Sequence, residues 1–418
     1  MSTNPIAGRD PYQALRYPEF RNYLLASFLL TVAILVQEVI IGYELYKVTH
    51  DPLALGLTGL AEAVPFIGLS LFGGHIADRV SKRKIILWSV ACVFVCSVML
   101  HLFGRNAQHV SPTTLVAVIY AVIAFIGVCR AFQSPASASL RAFLIPVSAY
   151  ENASTWNSSS WQVGSIVGPA VSGFLYALLG FSNALLLVVL LVAGSFLLYY
   201  RIEDKPVPVV SQAGNLLASL KEGIRFVIRT KIIFYAISLD LFSVLFGGVV
   251  AILPIFAEDI LRVGPEGLGI LRSAPSIGAV LTLLILSRIS VMERAWQNLL
   301  IAVAGFGVSI LVFALSPWMW LSTAALFFSG AFDSVSVVIR GTLLQLLTPD
   351  EMRGRVMGVN GIFISSSNEL GAFESGLAAR LLGTIRSVIF GGAMTLTIVA
   401  WVYARSKELL KGGLQRNG

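Results

Sequence analysis

Several carboxylates and arginines lie inside stretches that are otherwise apolar. They are Glu38, Glu44, Glu62, Arg130, Asp240, Arg272, Asp333, Arg340, Glu369 and Glu374. A charge at the centre of a bilayer costs at least about 2.5–3.5 kcal/mol on insertion scales, so such residues usually face a cavity or a partner of opposite charge. A carboxylate shielded from water can also take up and release a proton near neutral pH. The chemistry expected of this set is ion pairing and proton binding.

Other kinds of chemistry find little support in the sequence. The four histidines are scattered, and Cys92, Cys96 and Cys129 lie inside apolar runs with no zinc-ligand spacing, so we expect them to be buried, small apolar residues. The glycine-rich segments "GPEGLG" and "GFGVSI" do not follow strands, which argues against a dinucleotide site. We therefore expect no cofactor, no metal ion and no enzymatic activity.

The elements that hold these charges are expected to be membrane helices. Of the 418 residues 56% are hydrophobic and only 12% are charged, whereas soluble domains carry about 25% charged residues. The net charge of +8 does not indicate a nucleic-acid partner, because the basic residues fall at the ends of apolar runs, where they meet anionic headgroups.

Twelve apolar runs are long enough to cross a bilayer, which takes roughly 20 residues of helix. They cover residues 21–46, 53–77, 85–103, 112–134, 155–180, 183–200, 231–257, 266–287, 296–315, 317–340, 355–380 and 385–404. The fold class predicted is an all-α membrane protein. Its twelve transmembrane helices would form two six-helix bundles.

The domain limits follow from a polar segment between the two sets of six. We predict a first bundle over 1–200, a linker over 201–230 and a second bundle over 231–418. In the linker, bases that repeat every four residues face apolar positions, which predicts an amphipathic helix. A helix on the membrane surface and a solvated linker helix both fit this pattern.

The distribution of basic residues predicts the orientation. With both termini in the cytoplasm, most of the 30 Lys and Arg residues lie on the cytoplasmic side, as the positive-inside rule requires. An even number of spans also places the two termini on the same side. We therefore predict two cytoplasmic termini in a bacterial inner membrane.

The two halves can be aligned on each other. A shift of 203 residues superposes Gly127 on Gly330, Pro146 on Pro349, Asn157 on Asn360, Gly168 on Gly371 and Gly173 on Gly376, and a shift of 210 superposes Pro65 on Pro275 and Gly68 on Gly278. The same shifts place Arg130 on Asp333 and Glu62 on Arg272, with reversed charge. Internal repeats of this kind underlie alternating access around a midplane site. A fixed ion pair that joins the bundles is the alternative explanation of the charges.

The segment "GGHIADRVSKRK" after the second run resembles the loop-2–3 signature of the major facilitator superfamily. The match includes Gly74, Asp78, Arg79, Lys82 and Arg83, and a serine replaces the second glycine. The resemblance implies a conformational latch, in which Asp78 docks on the other bundle when the cytoplasmic gate is closed. The bases are expected to hold the loop at the anionic leaflet. Topology anchoring alone would explain the bases but not the acid.

Two weaker motifs resemble the drug/proton antiporter branch of that family. "RAFQSPA" begins at Arg130, a position that the resemblance links to proton transfer. "GSIVGPAVSG" contains Gly164, Gly168, Pro169 and Gly173 of the fifth-helix antiporter motif, although ordinary close packing of small residues explains it nearly as well. The opening segments "YPEFRNYLLASFLL" and "DPLALGLTGLAEAVPF" are similar to the branch that includes macrolide efflux proteins and the enterobactin exporter.

By the same resemblance, the first, fourth, seventh and tenth spans line a central cavity. The candidates for proton coupling are Glu38, Arg130, Asp240 and Asp333, and those for the substrate cavity are Glu62, Phe66, Phe125, Trp161, Phe332 and Glu369. Glu44 and Arg340 lie nearer the ends of their spans and are expected to snorkel. For the aromatic residues, plain packing is the competing explanation.

The resulting functional hypothesis is a secondary active transporter. We expect proton-coupled efflux of a small amphiphilic or drug-like molecule or a siderophore by alternating access. A lysophospholipid translocator or a uniporter on the same fold is the alternative. The expected partners are a small-molecule substrate, protons and membrane lipids, with no nucleic acid, and the chain is expected to be a monomer.

Overall fold

A computed structural model describes residues 10–106, 110–206 and 216–406. The described ranges contain helices and turns and no strands. In the first half the helices are α1 Pro18–Thr49, α2 Pro52–Arg79, α3 Lys82–Arg105, α4 Pro112–Phe143 and α5 Tyr150–Tyr200. They continue with α6 Leu216–Arg229, α7 Lys231–Gly247, α8 Leu253–Ile255, α9 Gly264–Leu286, α10 Ala295–Leu315, α11 Met319–Leu347, α12 Asp350–Leu382 and α13 Thr384–Arg405.

Helix starts are set by capping residues that the sequence supplies. Asp51 caps α2 by accepting from the Leu53 backbone amide, and Ser111 caps α4 by accepting from the Thr114 amide. Both caps are followed by a proline at the first helical position, where the missing N–H would have no partner in any case. The sequence thus fixes where α2 and α4 begin.

Each of the twelve predicted runs is mainly helical. Ten helices are long and apolar enough to span a membrane, and the count is lower than twelve for two reasons. The long α5 contains two of the predicted runs, separated by Gly180 with a φ of 72°. The polar helix α12 contains the eleventh run but is not among the ten, because its uncharged polar residues, such as those of the segment "SSSN", and its charged residues keep its mean hydropathy low.

The helix breaks follow the internal repeat. Gly180 interrupts α5, and Gly383, with a φ of 87°, separates α12 from α13. The two positions are related by the same 203-residue shift as the other matches. A positive φ favours glycine, so the repeat has kept a glycine where the chain must turn. This agrees with two pseudo-symmetric six-helix bundles.

The seventh run departs from a regular helix. After α7 ends at Gly247, the chain continues as a 3₁₀ turn over Val249–Ile252, the short α8 and a π turn over Phe256–Ile260. Pro254 lies in this stretch and cannot donate a helical hydrogen bond. The irregular segment places the acids Glu258 and Asp259 beside α1.

The linker contains the predicted amphipathic helix. On α6, Val227 is buried and Gly223 contacts the backbone of Arg355 in α12, so the helix packs on the second half. Lys221, Arg225 and Arg229 are exposed. Whether this face meets the membrane surface stays a prediction, as do the domain limits.

The chain direction defines two ends of the helix bundle. We call the end with residues 79–82, 143–150 and 286–295 the basic end, and the end with residues 49–52, 105–106, 110–112 and 382–384 the opposite end. The orientation predicted above places the basic end in the cytoplasm.

Candidate functional site

A cavity of about 760 Å³ lies between the two halves. Helices α1, α2, α4 and α5 line it from the first half, and α7, α9, α12 and the segment around Pro254 line it from the second half. On the first half the lining reaches Tyr23, Ser137 and Arg141 near the basic end, whereas the second half contributes residues from its middle and from its opposite-end portion.

Beyond the cavity, the halves pack closely at the opposite end. A Cβ on Gly56 of α2 would lie 3.0 Å from the Cα of Gly376 in α12, and a Cβ on Gly269 of α9 would lie 2.9 Å from the carbonyl oxygen of Pro169 in α5. Small residues at these crossings let the helix backbones approach each other. The cavity therefore lies on the basic-end side of the main contacts between the halves.

Polar contacts join the halves at the same end. The Tyr43 and Tyr46 hydroxyls on α1 donate to Glu258 and Asp259, respectively, of the π turn. Arg380, near the end of α12, lies 3.2 Å from Asp51. Since hydrogen bonds to charged groups are stronger than neutral ones, these contacts favour closure of the opposite end.

Arg130 is at the centre of the cavity charges. Its guanidinium forms an ion pair with Glu62 of α2 and lies 3.5 Å from the carboxylate of Glu369 of α12. The guanidinium carbon also lies 5.0 Å from the centroid of the Phe66 ring. Arg130 thus has one acidic neighbour in its own half and one in the other half. The sequence predicted each of these residues for the site but not their grouping around one guanidinium.

A second ion pair crosses the cavity. Arg272 of α9 donates to Glu38 of α1 at 2.8 Å, and both residues line the cavity. The Arg272 side chain is 11% exposed and the Glu38 side chain 53%. Sequence reasoning proposed Glu38 for the site, whereas it noted Arg272 as a charge within a span and through the repeat but did not propose it for the site. The position of Arg272 inside an apolar run was the feature of the sequence that could have indicated a role in the site.

Two of the proton-coupling candidates lie away from the cavity lining. Asp240 of α7 is bonded to Arg340 of α11, and both side chains are buried. The prediction that Arg340 snorkels is therefore wrong, since its buried guanidinium forms an ion pair with Asp240. Asp333 of α11 is half-buried, and no ion pair is recorded for it among the described residues.

The aromatic candidates are divided in the same way. Trp161 lines the cavity. Phe125 is 46% exposed on α4 and is not part of the lining. Phe332 packs against Gly305, where a Cβ would lie 2.7 Å from its ring, so it contacts α10 and not the cavity. Glu44 accepts a hydrogen bond from Tyr176.

Two bases of the loop-2–3 motif, Lys82 and Arg83, contact their own half. Lys82 is 2% exposed, with its ammonium 5.7 Å from the Phe143 ring centroid. Arg83 donates to the Tyr200 carbonyl oxygen at 2.6 Å. The expectation that all bases reach the anionic leaflet is therefore wrong for Lys82. Gly74 and Arg79 lie in the last two turns of α2, and the Asp78 side chain lies outside the described part of the structure, so the latch stays a prediction.

The fifth-helix motif combines two packing roles. Gly168 faces Leu35 of α1, with a Cβ position 2.8 Å from the Leu35 Cβ, and Gly164 faces Thr31. Gly173 and the Pro169 carbonyl oxygen face α9 across the opposite-end contact. Part of the motif is ordinary helix packing within the first half, and part of it joins the halves.

The arrangement suits the movement of a solute through the cavity. Among the described residues no group of three His, Cys, Asp or Glu side chains could hold a metal ion. The cavity carries three acids, Glu38, Glu62 and Glu369, and each lies near an arginine. Ion pairs that bridge two movable bundles can form and break as the bundles rotate.

Comparisons with known proteins agree with this architecture. The Major Facilitator Superfamily profile matches residues 23–372. The multidrug efflux pump Tap of Mycolicibacterium fortuitum is 27% identical over 367 residues, which cover 82% of this chain and 85% of Tap. The enterobactin exporter EntS of Escherichia coli O1:K1 is 25% identical over 394 residues, which cover 92% of each protein.

Solved structures show the same fold. The crystal structure of a bacterial homologue of the iron transporter ferroportin, in its inward-facing state, has a TM-score of 0.72 at 14% identity and covers 95% of this chain and 99% of its own. A POT family transporter in complex with 5-aminolevulinic acid has a TM-score of 0.75 at 13% identity, with 94% and 96% covered. With the profile matching most of its length, the chain belongs to the Major Facilitator Superfamily of membrane transporters.

Proposed function

We propose that this transporter exports a small amphiphilic or drug-like molecule, or a siderophore, from a bacterial cytoplasm through alternating access coupled to protons. The observation that carries the proposal is the cavity itself: about 760 Å³ between two bundles, with ion pairs that run from one bundle to the other. A cavity of this volume suits a drug-sized ligand. The efflux activities named for Tap and EntS support the direction.

The proposed orientation places the basic end in the cytoplasm. In that orientation the cavity faces the cytoplasm and the packed opposite end faces outwards, as an exporter ready to load requires. The excess of Lys and Arg at the basic end supports this assignment. Both termini are then cytoplasmic in the inner membrane, and the chain acts as a monomer.

The proposed coupling site is the group around Arg130. Glu62 and Glu369 both lie near one guanidinium, so one arginine neutralises at most one of two carboxylates. Like charges that share a site favour protonation of one of them. A substrate that enters the cavity and disturbs this arrangement can release that proton. Glu38, paired with Arg272, is a second candidate.

Proton release from proteoliposomes tests the proposal. The purified protein is challenged with lipophilic cations, macrolides, siderophores and lysolipids while external pH is recorded. A saturable, substrate-dependent proton signal is expected for the wild type and for Arg355→Gln, whose pair lies outside the cavity, and its loss is expected for Arg130→Gln. Saturable transport without a proton signal would contradict the coupling, and transport of lysolipids alone would favour a lipid translocator.

A further inference from the structure

The two halves carry a matched set of charges at equivalent helix crossings. In the first half, Gly127 of α4 packs on Pro65 of α2, and in the second half Gly330 of α11 packs on Pro275 of α9. These contacts are related by the two repeat shifts. They show that the pairs α2–α4 and α9–α11 cross with the same faces together.

An ionisable pair occupies the same position relative to each crossing. In the first half, Glu62 lies three residues before the proline and Arg130 three residues after the glycine. In the second half, Arg272 and Asp333 hold these two positions with the charges reversed. Glu62 and Arg130 form an ion pair. An arginine side chain is therefore long enough to reach a carboxylate at the equivalent position on the other helix of such a crossing.

The second-half pair is not bonded in the present conformation. Arg272 instead donates to Glu38 of the other half at 2.8 Å. Asp333 is half-buried and forms no ion pair with another described residue. The long, flexible Arg272 side chain thus reaches across the cavity to Glu38. Asp333, a carboxylate of the same half as Arg272, occupies the position equivalent to that of Arg130, which pairs with Glu62 in the first half.

We propose that Arg272 exchanges carboxylate partners during the transport cycle: it binds Glu38 in the present conformation and Asp333 when the opposite end opens. Rocking of the bundles separates residues of different halves and preserves distances within one half. Loss of Glu38 would leave Arg272 as an unpaired cation within the membrane, which is costly. Asp333 removes that cost without any movement of α9 relative to α11.

Arg130 follows the same scheme. It already contacts one acid of its own half, Glu62, and one of the other half, Glu369. Each central arginine therefore has an own-half acid and a cross-half acid. The own-half acid keeps the arginine neutralised when the cross-half contact breaks, which lowers the barrier between the two conformations. This inference depends on the alternating-access part of the proposed function.

Double electron–electron resonance on the full chain in lipid nanodiscs tests the exchange. Spin labels at Val147 and Ser290 report the width of the basic end, and labels at Thr113 and Arg386 report the opposite end. All four positions are exposed. The native cysteines are replaced by serine in the background protein.

Glu38→Gln is expected to shift the population toward an open opposite end, on the order of tenfold for a lost bond between charged groups. Asp333→Asn is expected to shift it in the reverse direction, and both effects are expected to vanish in an Arg272→Gln background. Glu374→Gln, another acid within a span, is the control and is expected to change little. The proposal would be overturned if Asp333→Asn shifted the population equally in the wild-type and Arg272→Gln backgrounds. It would also be overturned if Glu38→Gln and Asp333→Asn shifted the population in the same direction.

A second variant guards against a general folding effect. Arg272→Glu combined with Asp333→Arg recreates the charge order of the first half and opposes Glu38 with another acid. It is expected to favour the open opposite end more strongly than Glu38→Gln, and a preference for the present conformation would overturn the exchange. The distances are measured without substrate. A failure to find any transported molecule would therefore count against the proposed export, and not against the exchange.

Discussion

The Arg130 group and the Arg340 pair show two uses of the same chemistry. Arg130 lies in the cavity with its side chain 41% exposed and has acids from both halves beside it. The Arg340 side chain is 4% exposed, and its partner Asp240 belongs to the same half. One arginine can therefore lose or gain a neighbour when the halves move, whereas the other keeps its neighbour throughout.

This difference separates function from stability. A buried pair contributes little net stability over apolar residues, yet removal of one partner leaves an uncompensated charge. A cavity pair is partly hydrated, so loss of one partner costs less folding free energy and changes the balance between conformations instead.

The largest effect on stability is expected at the buried pair. Asp240→Asn leaves the Arg340 guanidinium without a counter-ion and is expected to lower the free energy of unfolding by about 3–5 kcal/mol. The loss is read as a lower Tm in detergent by fluorescence-detected size exclusion. Asp240→Leu together with Arg340→Met is the matched control and is expected to recover most of the Tm. A single variant as stable as the wild type would remove the distinction drawn above.

Arg130→Gln is expected to act on transport more than on folding. The change leaves Glu62 and Glu369 without their shared cation, and we expect the initial efflux rate to fall at least about tenfold, which corresponds to about 1.4 kcal/mol. The Tm is expected to fall less than for Asp240→Asn. Arg130→Lys keeps the charge but not the planar fork, so its rate should lie between the two. Unchanged efflux by Arg130→Gln would exclude this residue from the coupling site.

The tyrosines of the opposite end are expected to shift the conformational balance. Tyr43→Phe with Tyr46→Phe removes two hydrogen bonds to the carboxylates of Glu258 and Asp259, each worth about 1.5–3 kcal/mol. Labels at Thr113 and Arg386 should then report more of the open opposite end.

Tyr120→Phe is the matched control for the tyrosine variant. Its hydroxyl donates to the Ala54 carbonyl oxygen at 2.9 Å within the first half, so its loss should leave the distances unchanged. Equal responses of Tyr120→Phe and of the double variant would show that the effect does not depend on the contact between halves.

Close packing without charge is expected to have a smaller effect on the same distance. Gly56→Ala places a Cβ 3.0 Å from the Gly376 Cα, and the backbone must shift to relieve it at a cost of about 1–3 kcal/mol. The expected result is a moderate increase in the Thr113–Arg386 distance. Gly68→Ala, at a helical glycine with no neighbouring atom within 4 Å, is the control. A response at Gly68 alone would contradict the packing argument.

The smallest effect is expected at the exposed pair between α6 and α12. Arg355 and Glu222 are bonded, but their side chains are 41% and 52% exposed. Exposed pairs contribute about 0.2–1 kcal/mol. Glu222→Gln should therefore leave both the Tm and the efflux rate close to those of the wild type. A loss as large as that of Asp240→Asn would show that burial does not rank these pairs.

Much of the fold could be predicted from the sequence, because helix formation in a membrane depends on local composition. Twelve apolar runs of sufficient length predicted twelve helices, since each backbone hydrogen bond must be satisfied within the segment. The repeat was visible for the same reason, as Gly and Pro mark positions where the chain turns or approaches a neighbour. The irregular segment after Gly247 was not predicted, although Pro254 within it is visible in the sequence.

The candidate site was predictable as a set of charges and not as a set of contacts. Glu38, Glu62, Arg130 and Glu369 were identified because charge is costly in an apolar run. Their partners were not, since Arg130 and Glu62 lie 68 residues apart and Arg272 and Glu38 lie 234 apart. The sequence also could not separate Asp240, which is held in a buried pair, from the acids that line the cavity.

The sequence by itself determined that the protein lies in a bilayer, which twelve segments are mainly helical, the internal repeat and the positions at which charge enters the membrane. These features depend on the composition of single segments of the chain. Only the tertiary structure decided which acid each arginine binds, which end of the bundle is packed and which charged residues face the cavity. Such contacts join segments that are distant in sequence, and the packing of whole helices fixes them.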